Sequence, residues 1–236
     1  MTMGPLAGLA MLLTVLSVNA APGPDGARRR VPDSMAERVL ACVACHGEEG
    51  RATAEGYFPR IAGKPAGYLY NQLVNFRDGK RVNPMMTYLV DNLPDAYLRE
   101  IAQHFAARNP PYAAPAPVSA PPAQLARGRQ LATLGDAALK LPACAACHGD
   151  ALTGVAPAVP GLLGLPRDYL VAQLGAWKNK SRRAAAPDCM SEVVSRLTDD
   201  DIAAATSWLA SQPVPAVSVP AARAPQKAPL DCGGLR

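Results

Sequence analysis

Apolar residues recur at helical spacing in several short stretches of this chain, and nowhere alternate singly as they would in a half-buried strand. Two such stretches, Met35 to Cys45 and Gln124 to Leu134, run into or just ahead of cysteine-rich segments. Pro65 and Pro166 stand where proline can open a helix at its first position, ahead of Tyr68, Leu69 and Leu73 and of Tyr169, Leu170 and Leu174. Pro94 to Ala107 puts Leu98, Ile101, Ala102 and Phe105 on one face. Asp199 to Ser211 does the same with Ile202, Ala205, Thr206 and Leu209, and Thr198 with Asp201 gives it a capping signature. The pattern predicts an all-α fold with Gly- and Pro-rich loops.

Three segments carry no such periodicity. Residues 1–21 hold no charged side chain, and their apolar run, Leu6 to Val18, is shorter than the roughly 20 residues a spanning helix needs. Small residues follow it, so the segment reads as a signal peptide and the chain as exported, although the usual basic start is missing and an uncleaved anchor is the other reading. Residues 110–122 form a Pro/Ala-rich linker in which proline removes backbone donors, and residues 213–236 form a Pro/Ala-rich tail with no pattern for a packed element. Between them lie two candidate domains, 31–109 and 123–212.

These two halves resemble each other. Pro59 to Gly63 matches Pro157 to Gly161, "GYLYNQL" (67–73) matches "DYLVAQL" (168–174), and Phe76 matches Trp177. Met86 precedes Leu93 by the same step by which Met190 precedes Leu197. An internal duplication accounts for this pattern.

Composition sharpens the picture. Aromatics make up only 5% of 236 residues, so a small alanine-rich domain has few bulky side chains for a core and needs a staple or a cofactor. The formal net charge of +5 favours acidic partners or anionic surfaces. Nucleic acid is not among the expected partners, because the basic residues are dispersed, with clusters only at 28–30 and 178–183, and are not interleaved with aromatics.

The chemistry lies in "ACVACHG" (41–47) and "ACAACHG" (143–149), which use four of the six cysteines and two of the three histidines. Cys-x-x-Cys-His reads as c-type haem attachment: two thiols add to the haem vinyl groups and the adjacent imidazole ligates iron. Paired zinc motifs lie much closer together, and a thioredoxin-like motif needs a βαβ context that is absent. Cys42, Cys45 and His46 would then hold one haem c, and Cys144, Cys147 and His148 a second, both covalently bound. A thioether as sixth ligand raises the potential into the carrier range. Met86 and Met190 are the candidates by repeat position, with Met85 a rival. His104 reads as a surface residue near a helix C-terminus.

The order Cys-x-x-Cys-His-Gly, Pro-x-(Ile/Leu)-x-Gly, Tyr-Leu-x-x-Gln-Leu, then Phe76, Gly79, Lys80 and Arg81, Asn-Pro-Met-Met and a final helix resembles the dihaem cytochrome c4 family. The resemblance implies two tandem class I cytochrome c domains joined by a linker, His/Met ligation through His46, Met86, His148 and Met190, and periplasmic electron transfer by a monomer. It further implies redox partner proteins such as a membrane oxidase or dehydrogenase complex, and peripheral membrane association. The second half departs from the pattern. It lacks a clean Gly-x-Arg turn, and Cys189 stands where the first half has Met85. Either Cys189 pairs with Cys232 in a disulfide that pins the tail, or its thiolate replaces Met190 on iron, as in a dihaem enzyme resembling thiosulfate dehydrogenase.

Overall fold

In the computed structural model, residues 32–53, 55–222 and 228–235 are described, and residues 33–236 form one compact unit. The segment 1–21, read as a signal peptide, lies outside the described residues. The first half contains α1 (Met35–Arg38), α2 (Leu40–His46), α3 (Ala66–Arg77), α4 (Pro84–Val90) and α5 (Asp95–Ala106). The stretch expected as one helix from Met35 to Cys45 is two, because the backbone at Val39 leaves helical geometry at φ −99°, ψ 5°. Val39 itself is buried with Leu69, Ile101, Ala102 and Phe105, while Phe76, Val90 and Leu98 form a neighbouring cluster. The apolar face read from the α5 sequence is therefore the face that packs.

The second half contains α6 (Pro122–Thr133), α7 (Cys144–His148), α8 (Arg167–Lys178), α9 (Cys189–Ser195) and α10 (Asp199–Ser211). Thr198 and Asp201 close a reciprocal capping box at the start of α10. Arg127 on α6 then donates to Asp201 at 2.8 Å and to Asp136 at 2.7 Å, fixing α6 on α10. The helices approach so closely that a Cβ on Gly128 would lie 2.1 Å from the Ala204 carbonyl oxygen.

Four sequence expectations are corrected here. Strands do occur: β1 (Gly154–Val155) pairs antiparallel with β2 (Val159–Pro160), two residues each, too short for any alternation to register. Pro65 and Pro166 are the residues before α3 and α8, with extended ψ of 136° and 142°, so each caps its helix and does not begin it. The turn thought missing from the second half is present, since Lys180 adopts φ +64° where Gly79 adopts +68°. Finally, the tail packs. Ala221 exchanges backbone hydrogen bonds with Gly154 and Ala156, Gly233 N donates to Pro187 O at 3.0 Å, and Asn71 of the first half donates to Gly234 O at 3.0 Å.

A disulfide joins Cys189 to Cys232, whose Cα atoms are 5.3 Å apart. A loop of 43 residues closed this way is worth about 4 kcal/mol in the chain-entropy model. The linker is held as well: Arg60, buried, donates to the Pro110 and Pro111 carbonyls and stacks 3.7 Å from the Tyr112 ring. Gly128→Ala is expected to lower the stability of the purified protein by about 1–3 kcal/mol through overpacking against α10, read as a lower denaturant midpoint.

Candidate haem sites and the seam between the halves

Each Cys-x-x-Cys-His motif forms a short helix that ends at its histidine, and a glycine at positive φ follows, Gly47 at +76° and Gly149 at +85°. At Gly47 a Cβ would meet the Ala52 carbonyl oxygen at 2.4 Å, so the chain can turn away sharply only with glycine there. Both imidazoles are buried, with 9% and 7% of their surface exposed. His46 Nδ1 donates to Pro59 O at 2.8 Å and His148 Nδ1 donates to Pro160 O at 2.7 Å. Those bonds fix the tautomer and leave each Nε2 with a lone pair, the arrangement second-sphere partners give to ligating histidines. Burial pushes both imidazole pKa values down, which keeps the neutral, ligating form.

These carbonyls correct the repeat alignment. Pro160 and not Pro157 is the counterpart of Pro59, and Gly164, at φ +69°, is the counterpart of Gly63 at +70°. Between its histidine and this proline the second half is one residue shorter than the first, 12 positions against 13, and the β1–β2 turn falls within that span.

Cys42, Cys45, Cys144 and Cys147 are all free thiols. Burial raises the pKa of Cys42 and Cys147 and pushes Cys144 up to about 11, the opposite of an activated redox thiol. Among the described residues no group of three or more His, Cys, Asp or Glu side chains converges to hold a metal ion, which counts against the zinc reading. Met85 is 60% exposed, whereas Met86 is half-buried against the Phe76, Val90 and Leu98 cluster. Met190 is half-buried in the first turn of α9, beside the disulfide at Cys189. His104 lies in the last turn of α5, edge-on to Phe105 at 5.1 Å.

Sequence reading missed the seam that joins the two halves. Segments 80–83 and 181–183 run antiparallel, with Val82 N donating to Ser181 O at 2.9 Å and Arg183 N to Lys80 O at 2.7 Å. Arg81 donates to Gln72 at 3.0 Å, Gln173 at 2.6 Å and the Tyr169 hydroxyl at 3.2 Å. Arg182 returns the pattern, to Gln173 at 2.8 Å, Gln72 at 3.0 Å and the Tyr68 hydroxyl at 3.3 Å. Every contact is matched by its repeat partner, so the seam has approximate twofold symmetry. The available signal was Gln72 and Gln173, two polar residues at equivalent places in otherwise apolar helix faces.

The seam is rich in buried positive charge. Arg182 and Lys64 are each 5% exposed, and among the described residues no carboxylate forms an ion pair with Arg81, Arg182 or Lys64. Burial alone would raise the Tyr68 pKa, but Arg182, Arg81 and Lys64 outweigh it and hold the phenol below its ordinary value. Trp177 Nε1, next to Arg182, is buried without a hydrogen-bond partner. Buried cations and an orphaned donor call for an anion, and a haem brings two propionate carboxylates. The donor set fits haem c on all counts: paired thiols, a pinned neutral imidazole and nearby unpaired donors.

Comparison with known proteins agrees. The cytochrome c family model matches residues 125–213. A thiosulfate dehydrogenase electron acceptor of Stutzerimonas stutzeri strain A1501 is 35% identical over 208 residues, covering 88% of this chain and 94% of its own. Cytochrome c4 of Pseudomonas aeruginosa is 33% identical over 191 residues, covering 79% and 92%. Among solved structures, reduced cytochrome c4 from Pseudomonas stutzeri superposes with a TM-score of 0.64 at 29% identity, covering 77% of this chain and 99% of that one. A thiosulfate dehydrogenase TsdBA from Marichromatium purpuratum gives 0.64 at 34% identity; this chain is matched over 76% of its length but spans 38% of that protein. The fold is that of a c-type cytochrome with tandem class I domains. The chain belongs to the cytochrome c4 family, an electron carrier and not an enzyme, with covalently bound haem c as its cofactor.

Arg182→Ala should leave the Tyr68, Gln72 and Gln173 oxygens short of a donor and destabilise the protein by about 2–4 kcal/mol. Hydrogen exchange at the Val82 and Arg183 amides should accelerate if the seam opens as a unit, and unchanged exchange would show that the backbone pairing stands without the arginine.

Proposed function

We propose that the chain is a periplasmic dihaem electron carrier in which Cys42, Cys45 and His46 hold one haem and Cys144, Cys147 and His148 the other. Met86 and Met190 supply the sixth ligands. The two haem-binding domains correspond to residues 31–109 and 123–212, and residues 1–21 direct export. The observation that carries this reading is the pair of buried imidazoles, each pinned through Nδ1 to a proline carbonyl, in two equivalent halves. The partly buried position of Met86 favours it over the exposed Met85. The Cys189–Cys232 disulfide supports an oxidising compartment and takes up the sulfur that a thiolate-ligated haem would need. Among the described residues no helix is long and apolar enough to cross a membrane.

Bound haem c supplies reversible one-electron chemistry at iron. The protein residues hold the imidazoles neutral and oriented and keep water from the buried faces; Arg81 and Arg182 would offset propionate charge, and the Trp177 indole would donate a hydrogen bond. The donor is a substrate-oxidising enzyme and the acceptor a terminal oxidase or reductase of a respiratory chain. Two relatives named as electron acceptors of thiosulfate dehydrogenase make an enzyme of that type the preferred donor. Spectroelectrochemical titration of the mature protein should give two high-potential one-electron waves, with the far-red band of Met-ligated ferric haem c at full strength. Met190→Ala should lower one wave and halve the band, and an unchanged spectrum would remove Met190 from the ligand set.

The partner meets the first half. Val82, Met85 and Tyr88 are 65%, 60% and 80% exposed beside the proposed ligand Met86, and Lys80, Lys180 and Arg183 lie along the adjoining seam with no ion pair among the described residues. The second-half counterparts of Val82, Met85 and Tyr88 are Arg183, the disulfide-bonded Cys189 and Glu192, so the equivalent face is charged and tied to the tail. An apolar patch bordered by cations suits a redox protein with an acidic rim. Val82→Glu with Tyr88→Glu should slow electron uptake from the donor about tenfold, with both potentials unchanged, and the parent rate should fall with ionic strength.

A further inference from the structure

Lys64 belongs to the first half, but its amine reaches into the second. Its Nζ donates to Gly161 O at 3.0 Å, and Gly161 directly follows Pro160, whose carbonyl holds His148. The side chain is 5% exposed, and that carbonyl is its hydrogen-bond partner; among the described residues no carboxylate pairs with it. The arrangement has no twin. By the register that Pro59 and Pro160 set, the second-half counterpart of Lys64 is Leu165, buried and apolar, so that position returns no cation to the Pro59 loop. Burial lowers the amine pKa to about 8, which leaves it mainly charged at neutral pH.

An unpaired buried lysine held by one neutral acceptor is a costly choice, and a leucine at the same place in the other half shows that the fold itself does not require it. Its charge has a consequence for an iron bound to His148. Oxidation adds one positive charge there, and a fixed cation in a poorly solvated site opposes that addition. By withdrawing density from the loop that orients the imidazole, the same cation weakens donation to the ferric state.

We propose that Lys64 is a redox-positioning residue: delivered across the seam, its cation raises the potential of the haem on His148 relative to the haem on His46. An electron shared between the two then rests preferentially in the second half. This rests on the dihaem reading above.

The test uses the mature holoprotein and reads potentials. Lys64→Met keeps the length and packing of the side chain and removes its charge, whereas Lys64→Arg keeps the charge. Met190→His marks the wave that belongs to the second haem, and haem content by pyridine haemochrome with far-UV circular dichroism shows that each variant is folded and loaded. With Lys64→Met the second-haem wave should fall by about 59 mV, a tenfold change in how the electron partitions, and the first-haem wave should stay in place. Lys64→Arg should restore the parent value. If both waves move together, or neither moves while haem content is intact, Lys64 is a structural residue and the proposal is overturned. Should Lys64→Met not take up haem, Lys64→Gln provides the same neutral comparison. A parent protein with one haem and one wave would sink the dihaem reading itself, an outcome distinct from two unshifted waves.

Discussion

Two arginines of like charge meet across the seam between the halves, and the rest of the molecule is arranged around that unfavourable fact. Each guanidinium lies against its own half's aromatic ring, Arg81 at 4.6 Å from Phe76 and Arg182 at 3.8 Å from Trp177, and each reaches over to the other half's glutamine and tyrosine. Gln72 and Gln173 each accept from both arginines, so neither half can satisfy its own arginine alone. Neutral acceptors orient the charges without cancelling them. Cancelling them would fall to the propionates of a bound haem, which would make cofactor binding and docking of the halves a single energetic event, as in metalloproteins whose site assembles only with the metal.

That coupling would explain why residues 33–236 of a chain with 5% aromatic residues form one compact unit and not two loosely tethered ones. The linker is clamped to the first half by Arg60, its Tyr112 fits against Gly164 of the second half, and the tail reaches back to Asn71. Each contact is small. Together they cover the edges of a seam whose centre is polar and charged, where apolar burial alone would give little.

Much of this was legible in the sequence because it is local or repeated. The buried face of α5 follows from four apolar positions at helical spacing, the start of α10 follows from Thr198 and Asp201, and both histidine sites follow from a five-residue motif. What escaped depends on three-dimensional register. The match of Pro59 to Pro157 looked right by composition, yet the imidazole bond fell to Pro160, because the second half folds the segment before Pro160 into a β-turn that only backbone pairing reveals. Lys180 hid the turn shape that the two halves share behind an unfavourable residue type, since a lysine at φ +64° is rare enough that sequence alone argues against it. The tail has a composition associated with unpacked chain, and one disulfide overrides that tendency.

Duplication supplies the symmetry of the reciprocal hydrogen bonds, and the departures from it lie outside that network. The arginines, glutamines and tyrosines stand in both halves: losing a glutamine would take an acceptor from both arginines, and losing a tyrosine would take one from the arginine across the seam. Positions free of that reciprocity have diverged: Lys64 against Leu165, Met85 against Cys189, Trp177 against Phe76. A carrier with two equivalent redox centres would hold an electron equally at either and deliver it with no preferred direction. Shared contacts at the centre keep the two sites close and rigid with respect to each other, while unshared ones at the periphery make the sites unequal. The division follows from the chemistry of the interface, since reciprocal hydrogen bonds resist substitution and a lone cation or a surface methionine does not.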